Sequence, residues 1–123
     1  MKTTLQVLVN ESDDKFLLAQ RYYSLLSTLN DLRLTERETQ LIAFAAVRGN
    51  ISYATIREDF CARYKTSFPT INNMISRLKK IGVFIKEGGK IKVNPRILLP
   101  FDNDIKMLIT LKHKNGEATN TIS

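Results

Sequence analysis

Between Asp14 and Leu29 the apolar residues Leu18, Tyr22, Leu25, Leu26 and Leu29 recur at three- and four-residue spacing, the pattern of a long amphipathic helix. Asn10-Glu11-Ser12-Asp13-Asp14 precedes it and supplies N-cap residues and acids for its start. A second set, Leu41, Ile42, Phe44, Ala45 and Val47, follows Thr35 and Glu38, which are spaced as a capping box. Gly49 suits the left-handed position where that helix stops. Ser52 is the next expected N-cap, with Ile51 and Ile56 as a hydrophobic staple. The third helix then runs to about Tyr64 and buries Ile56, Phe60 and the Cys61 side. After the break Lys65-Thr66-Ser67, Ser67 caps a fourth helix over about 69–81, whose first turn tolerates Pro69. Ile71, Met74, Ile75, Leu78 and Ile81 form its apolar face, and Gly82 ends it.

Beyond Gly82 the apolar period shortens towards two. Residues 83–86 and 90–93 read as strands joined through Glu87-Gly88-Gly89, with Asn94-Pro95 closing the hairpin. Thr3–Val9 is short and rich in β-formers, so it reads as a strand or extended arm. Ile105–Leu111 alternates as a half-buried strand, and the polar stretch after His113 is expected to be a loose tail. The fold class is therefore mainly α with a small β part (α+β). The expected organisation is an arm over 1–12, a domain over 13–96, a strand extension over 97–113 and a polar tail over 114–123.

Charge sharpens this picture. The 123-residue chain carries a net charge of +7, and all of it falls between Lys65 and Arg96, where eight basic residues face one acid, Glu87. The remainder balances. A neutral protein with one strongly positive helix-hairpin unit is suited to meet a polyanion there, nucleic acid first. At this length one compact domain with an ordinary core is expected. The chain shows no apolar run of membrane-spanning length and no long apolar leader, so no membrane partner is expected. The single cysteine, Cys61, excludes an internal disulfide and fits a packing role in a reducing cytoplasm, or in a virion if the chain is viral.

The fourth helix offers both kinds of DNA contact. Asn72 and Asn73 can pair with adenine, and Arg77 with guanine. Ser67, Thr70 and Ser76 suit base edges or phosphates, whereas Lys79, Lys80, Lys86, Lys90 and Lys92 supply charge without base preference. The stretch from Ile51 to Pro95, above all TINNMISRLKKIGVFIKEGGKIKVNP, resembles the recognition helix and wing of the winged helix-turn-helix DNA-binding superfamily. It is similar to MarR-type regulators and to the winged-helix domains of plasmid and phage replication initiators. Thr70, Ile71, Ile75, Leu78, Lys79, Lys80, Gly82 and the Gly88-Gly89 turn carry the likeness. It implies that helix 69–81 enters the major groove of double-stranded DNA while the wing, 83–93, meets phosphates. It also implies a transcriptional regulator or replication accessory, acting as a homodimer or larger assembly through helix 13–29 and the terminal strands.

No catalytic constellation accompanies these residues. His113 is the only histidine and has no second histidine to share a metal. Glu36/Glu38 and Glu58/Asp59 are accounted for by helix starts and solvated faces. Gly88-Gly89 alone is a turn, so no enzyme activity, metal or cofactor is expected. Tyr22 and Tyr23 read as packing residues, since single-strand binders place their aromatics among basic residues. The competing reading is a structural or assembly protein, for example a virion component, using the same fold and its terminal strands for protein contacts.

Overall fold

Three helices begin where a side-chain oxygen accepts backbone N–H groups that would otherwise lack partners. In the computed structural model, which describes residues 14–102, 109–113 and 118–122, Asp14 caps α1 (Lys15–Leu29) by accepting from the Phe16 and Leu17 amides. Thr35 caps α2 (Glu36–Arg48), and the capping box is complete: the Glu38 amide donates to Thr35 Oγ1 at 3.1 Å and the Thr35 amide to Glu38 Oε1 at 2.9 Å. Gly49 ends α2 at φ 98°, in the left-handed region that glycine occupies without strain. Ser67 caps α4 (Phe68–Lys80), with Pro69 in its first turn.

The start of α3 (Ala54–Tyr64) differs from the expectation. Ser52 is not its cap. Tyr53 holds that position without a side-chain bond, and Asn50, buried, accepts the Ser52 and Tyr53 amides on Oδ1 instead. The Ser52 hydroxyl accepts the Ile91 amide at 2.6 Å, and the Ile51 amide donates to the Ile91 carbonyl at 2.9 Å. These bonds tie the α2–α3 connection to the edge of the following hairpin.

That hairpin is β1 (Phe84–Glu87) and β2 (Lys90–Val93), antiparallel with Phe84 opposite Val93 and Glu87 opposite Lys90. Gly88 and Gly89, at φ 58° and 76°, form the two-residue turn that matches strand twist. Asn94 closes it by donating from Nδ2 to the Gly82 carbonyl, and a 3-10 turn, Pro95–Ile97, follows.

Phe44 sits at the centre of the core, stacked on Phe16 with centroids 5.0 Å apart and edge-on to Phe60 at 5.4 Å. Leu41, Ile42, Ile51, Ile56, Ile71, Ile75, Leu78, Val83, Phe84 and Val93 fill the space around it. Ile81 is exposed rather than part of the α4 apolar face. Tyr23 is buried between Phe101 and the end of the 3-10 turn. Its hydroxyl donates to the Ile97 carbonyl at 2.8 Å, and burial pushes its pKa well above the ordinary tyrosine range.

On α1 the buried stripe is Ala19, Tyr23 and Ser27, flanked by Phe16. Leu25 and Leu29, members of the stripe noted in the sequence, are 41% and 46% exposed. The helix thus has two apolar faces, and the core uses the smaller-residue one.

The chain divides into two units. Ser12–Phe101 holds the four helices and the first hairpin; Met1–Glu11 and Asp102–Ser123 form the other. In the latter, β3 (Ile109–Lys112) pairs antiparallel with β4 (Ala118–Ile122), with a register shift between Leu111 and Lys112. β4 corrects the expectation of a loose tail after His113. β3 overlaps the predicted strand 105–111 over residues 109–111 and runs one residue past it; the predicted strand at 3–9 and residues 105–108 lie outside the described residues. The fold class is α+β, mostly helical with small antiparallel sheets.

Candidate nucleic-acid interface

With Ile71, Ile75 and Leu78 buried, the other faces of α4 are fixed by its turn of about 100° per residue. Asn73 and Lys80, seven residues apart, lie opposite the buried row with Ser76 beside them. Asn72 and Lys79 lie on the flank towards α3, and Thr70 and Arg77 on the other. All seven are exposed.

Exposure does not make them equivalent. Arg77 donates from Nη1 to Glu38 Oε2 at 2.6 Å and from Nη2 to the Leu32 carbonyl at 3.4 Å, which ties α4 to the start of α2. Asn72 accepts on Oδ1 from Arg57 Nη1 at 2.8 Å, and Arg57 Nε in turn donates to the Ile51 carbonyl. The hydroxyls of Ser67 and Thr70 bond to each other at 3.0 Å. Among the described residues Asn73, Ser76, Lys79 and Lys80 have no side-chain hydrogen bond or ion pair. A shallow cavity of about 350 Å³ opens beside Asn73, lined also by Arg33, Thr35, Glu38, Met74 and Arg77.

The hairpin does not gather its three lysines on one face. Cross-strand register places Lys92 beside Ile85 and Lys90 beside Glu87 on one side, and Lys86 beside Ile91 on the other. Glu87 lies 4.0 Å from Lys92 Nζ and partly offsets that side. Lys90 Nζ sits over the exposed Tyr53 ring, 5.1 Å from its centroid, which holds the cation at the junction of hairpin and α3. Tyr53 and Arg57 are therefore parts of this surface that sequence reading missed. The only local signal was an aromatic and a cation one turn apart at a helix start.

Chemically the surface combines exposed cations, one unengaged carboxamide and one unengaged serine hydroxyl on a single convex helix. No cluster of metal-ligating side chains occurs among the described residues, and no helix there is long and apolar enough to cross a membrane. Comparison with family models, with curated proteins and with solved structures finds no match for this chain.

Proposed function

We propose that the protein is a winged helix-turn-helix DNA-binding protein, a transcriptional regulator or replication accessory of the cytoplasm. Helix α4 enters the major groove and the β1–β2 hairpin, as the wing, contacts phosphates. The observation that carries this reading is the confinement of the +7 net charge to Lys65–Arg96, together with an outward α4 face that presents Asn73, Ser76 and Lys80. A major groove about 12 Å wide admits one such helix. Lys79, Lys80, Lys86, Lys90 and Lys92 lie on the helix end and hairpin, where phosphate contacts fix register without reading sequence. The outward leucines of α1 support self-association through that helix, so that two α4 helices read two half-sites.

The test is selection of purified protein on a random-sequence duplex pool at several salt concentrations, with the bound fraction sequenced. An enriched motif, repeated two-fold for a dimer, is expected. Affinity should fall with a log–log salt slope of roughly −4 to −5 per subunit, as about five released phosphate counterions require. Salt-sensitive binding without enrichment would point to an architectural role. No binding at low salt would favour the second reading, an assembly protein, for which the exposed Leu25 and Leu29 are the supporting observation.

A further inference from the structure

Asn72, Asn73 and Arg77 are adjacent side chains of α4 with the chemistry to read bases, and their surroundings separate them. Reading a base by two hydrogen bonds requires both ends of the planar group to be available. Arg77 has Nη1 on the Glu38 carboxylate and Nη2 directed at the Leu32 carbonyl, so its fork points back into the protein. Asn72 has its carbonyl oxygen on Arg57 and lies on the flank towards α3. Asn73 has neither constraint. It is exposed, stands opposite the buried row of Ile71, Ile75 and Leu78, and keeps both the donor and the acceptor of its carboxamide unengaged among the described residues. It also lies in the second turn of α4, towards the end from which recognition helices contact base edges.

We infer that Asn73 is the sequence-reading residue of α4 and that its base is adenine, contacted at N7 and N6 in the major groove. This inference rests on the DNA-binding reading above. The carboxamide NH2 donates to N7 while its oxygen accepts from the N6 amino group, and no other base presents that acceptor-donor pair to one planar amide. Asn72 is held by Arg57 on the flank towards α3, and Arg77 holds the helix in place. Sequence preference at the position facing Asn73 is therefore for A·T, and the surrounding lysines add affinity without preference.

The test uses the full chain and a duplex carrying the motif enriched in the pool selection, with each adenine replaced in turn by 7-deazaadenine. That replacement removes the N7 acceptor and keeps Watson–Crick pairing. Wild-type protein should lose about 5- to 100-fold in affinity at one adenine per half-site. Asn73→Ala and Asn73→Ser should bind the parent and substituted duplexes equally, whereas Asn72→Ala should keep the discrimination. Asn73 is exposed and unbonded, so both variants should melt with the wild type, and a thermal scan verifies this before binding is measured. Retained 7-deazaadenine sensitivity in folded Asn73→Ala, or wild-type binding with no enriched motif, would overturn the inference and leave DNA binding standing. Absence of wild-type binding at low salt would overturn both.

Discussion

The Glu38 carboxylate is 5% exposed and has two donors: the Thr35 amide on Oε1 and the Arg77 guanidinium on Oε2. Arg77 is 43% exposed, so the two partners are not symmetric. Removing Arg77 strands a buried charge with one hydrogen bond; removing Glu38 returns Arg77 to water and costs mainly the cap. Arg77→Ala should therefore lower unfolding free energy by about 2–3 kcal/mol, read as a shift in the urea midpoint. Arg77→Lys should recover only part, because a point charge does not reproduce the fork. A loss below about 0.5 kcal/mol would mean that the pair contributes nothing beyond a solvated contact. The sequence displayed Arg77 as a basic residue on an outward helix face. It could not display that its partners, Glu38 and Leu32, lie 39 and 45 positions away, because only the packing of α4 on α2 brings them within reach. The Asn72–Arg57 bond was hidden for the same reason, whereas the exposure of Asn73, Ser76, Lys79 and Lys80 followed from α4's own apolar period.

Elements were legible where their signals are local. The Thr35/Glu38 box, Gly49, Ser67 before Pro69, and Gly88-Gly89 each act within a few residues of themselves, and the structure places a helix boundary or turn at each. Helix α1 was legible as a helix but not in orientation. Leu18, Tyr22, Leu25 and Leu29 have the spacing of a core stripe, and so do Phe16, Ala19, Tyr23 and Ser27; only the shape of α2 and the Tyr23 bond to Ile97 choose between them. β4 was missed because Ala118-Thr119-Asn120-Thr121-Ile122 lacks apolar alternation, so its pairing with β3 leaves no local trace.

Two outcomes follow at this scale. Leu25→Asp should leave the fold intact, since that side chain is exposed, and should shift sedimentation equilibrium from dimer towards monomer; a wild-type monomer at micromolar concentration would remove α1 as a self-association face. Asp14→Ala should cost about 1 kcal/mol through loss of the α1 cap, while Asp14→Asn keeps most of it. Burial tends to raise the Asp14 pKa, but the hydrogen bond and charge of Arg63 and the Phe16 and Leu17 amides bring it below the ordinary carboxylate value. Its stabilisation is then present above the unfolded-state pKa and fades as pH falls through the lowered folded value. The Asp14→Ala penalty should shrink in thermal melts taken from neutral pH down to acid.

At the scale of the whole molecule, the division of the chain separates two properties that share no residues. The four helices, the described aromatic core from Phe16 to Phe101 and every residue of the basic segment belong to Ser12–Phe101. The second unit holds the β3–β4 pair and the cations Lys2, Lys106, Lys112 and Lys114. A fragment of residues 12–101 should consequently unfold in one cooperative urea transition, because it retains the buried side chains whose apolar area drives folding. It should also keep the salt slope of the full chain on a given duplex, since that slope counts the phosphates neutralised and the segment neutralising them is intact. If the fragment folds and its slope falls by one or more, cations of the second unit touch the duplex as well, and the footprint is larger than α4 and the wing. If the slope holds while affinity drops, the second unit acts on assembly rather than on phosphates. Equilibrium sedimentation of the fragment beside the full chain tells these apart, because a change in subunit association moves the mass average and a change in phosphate contact does not.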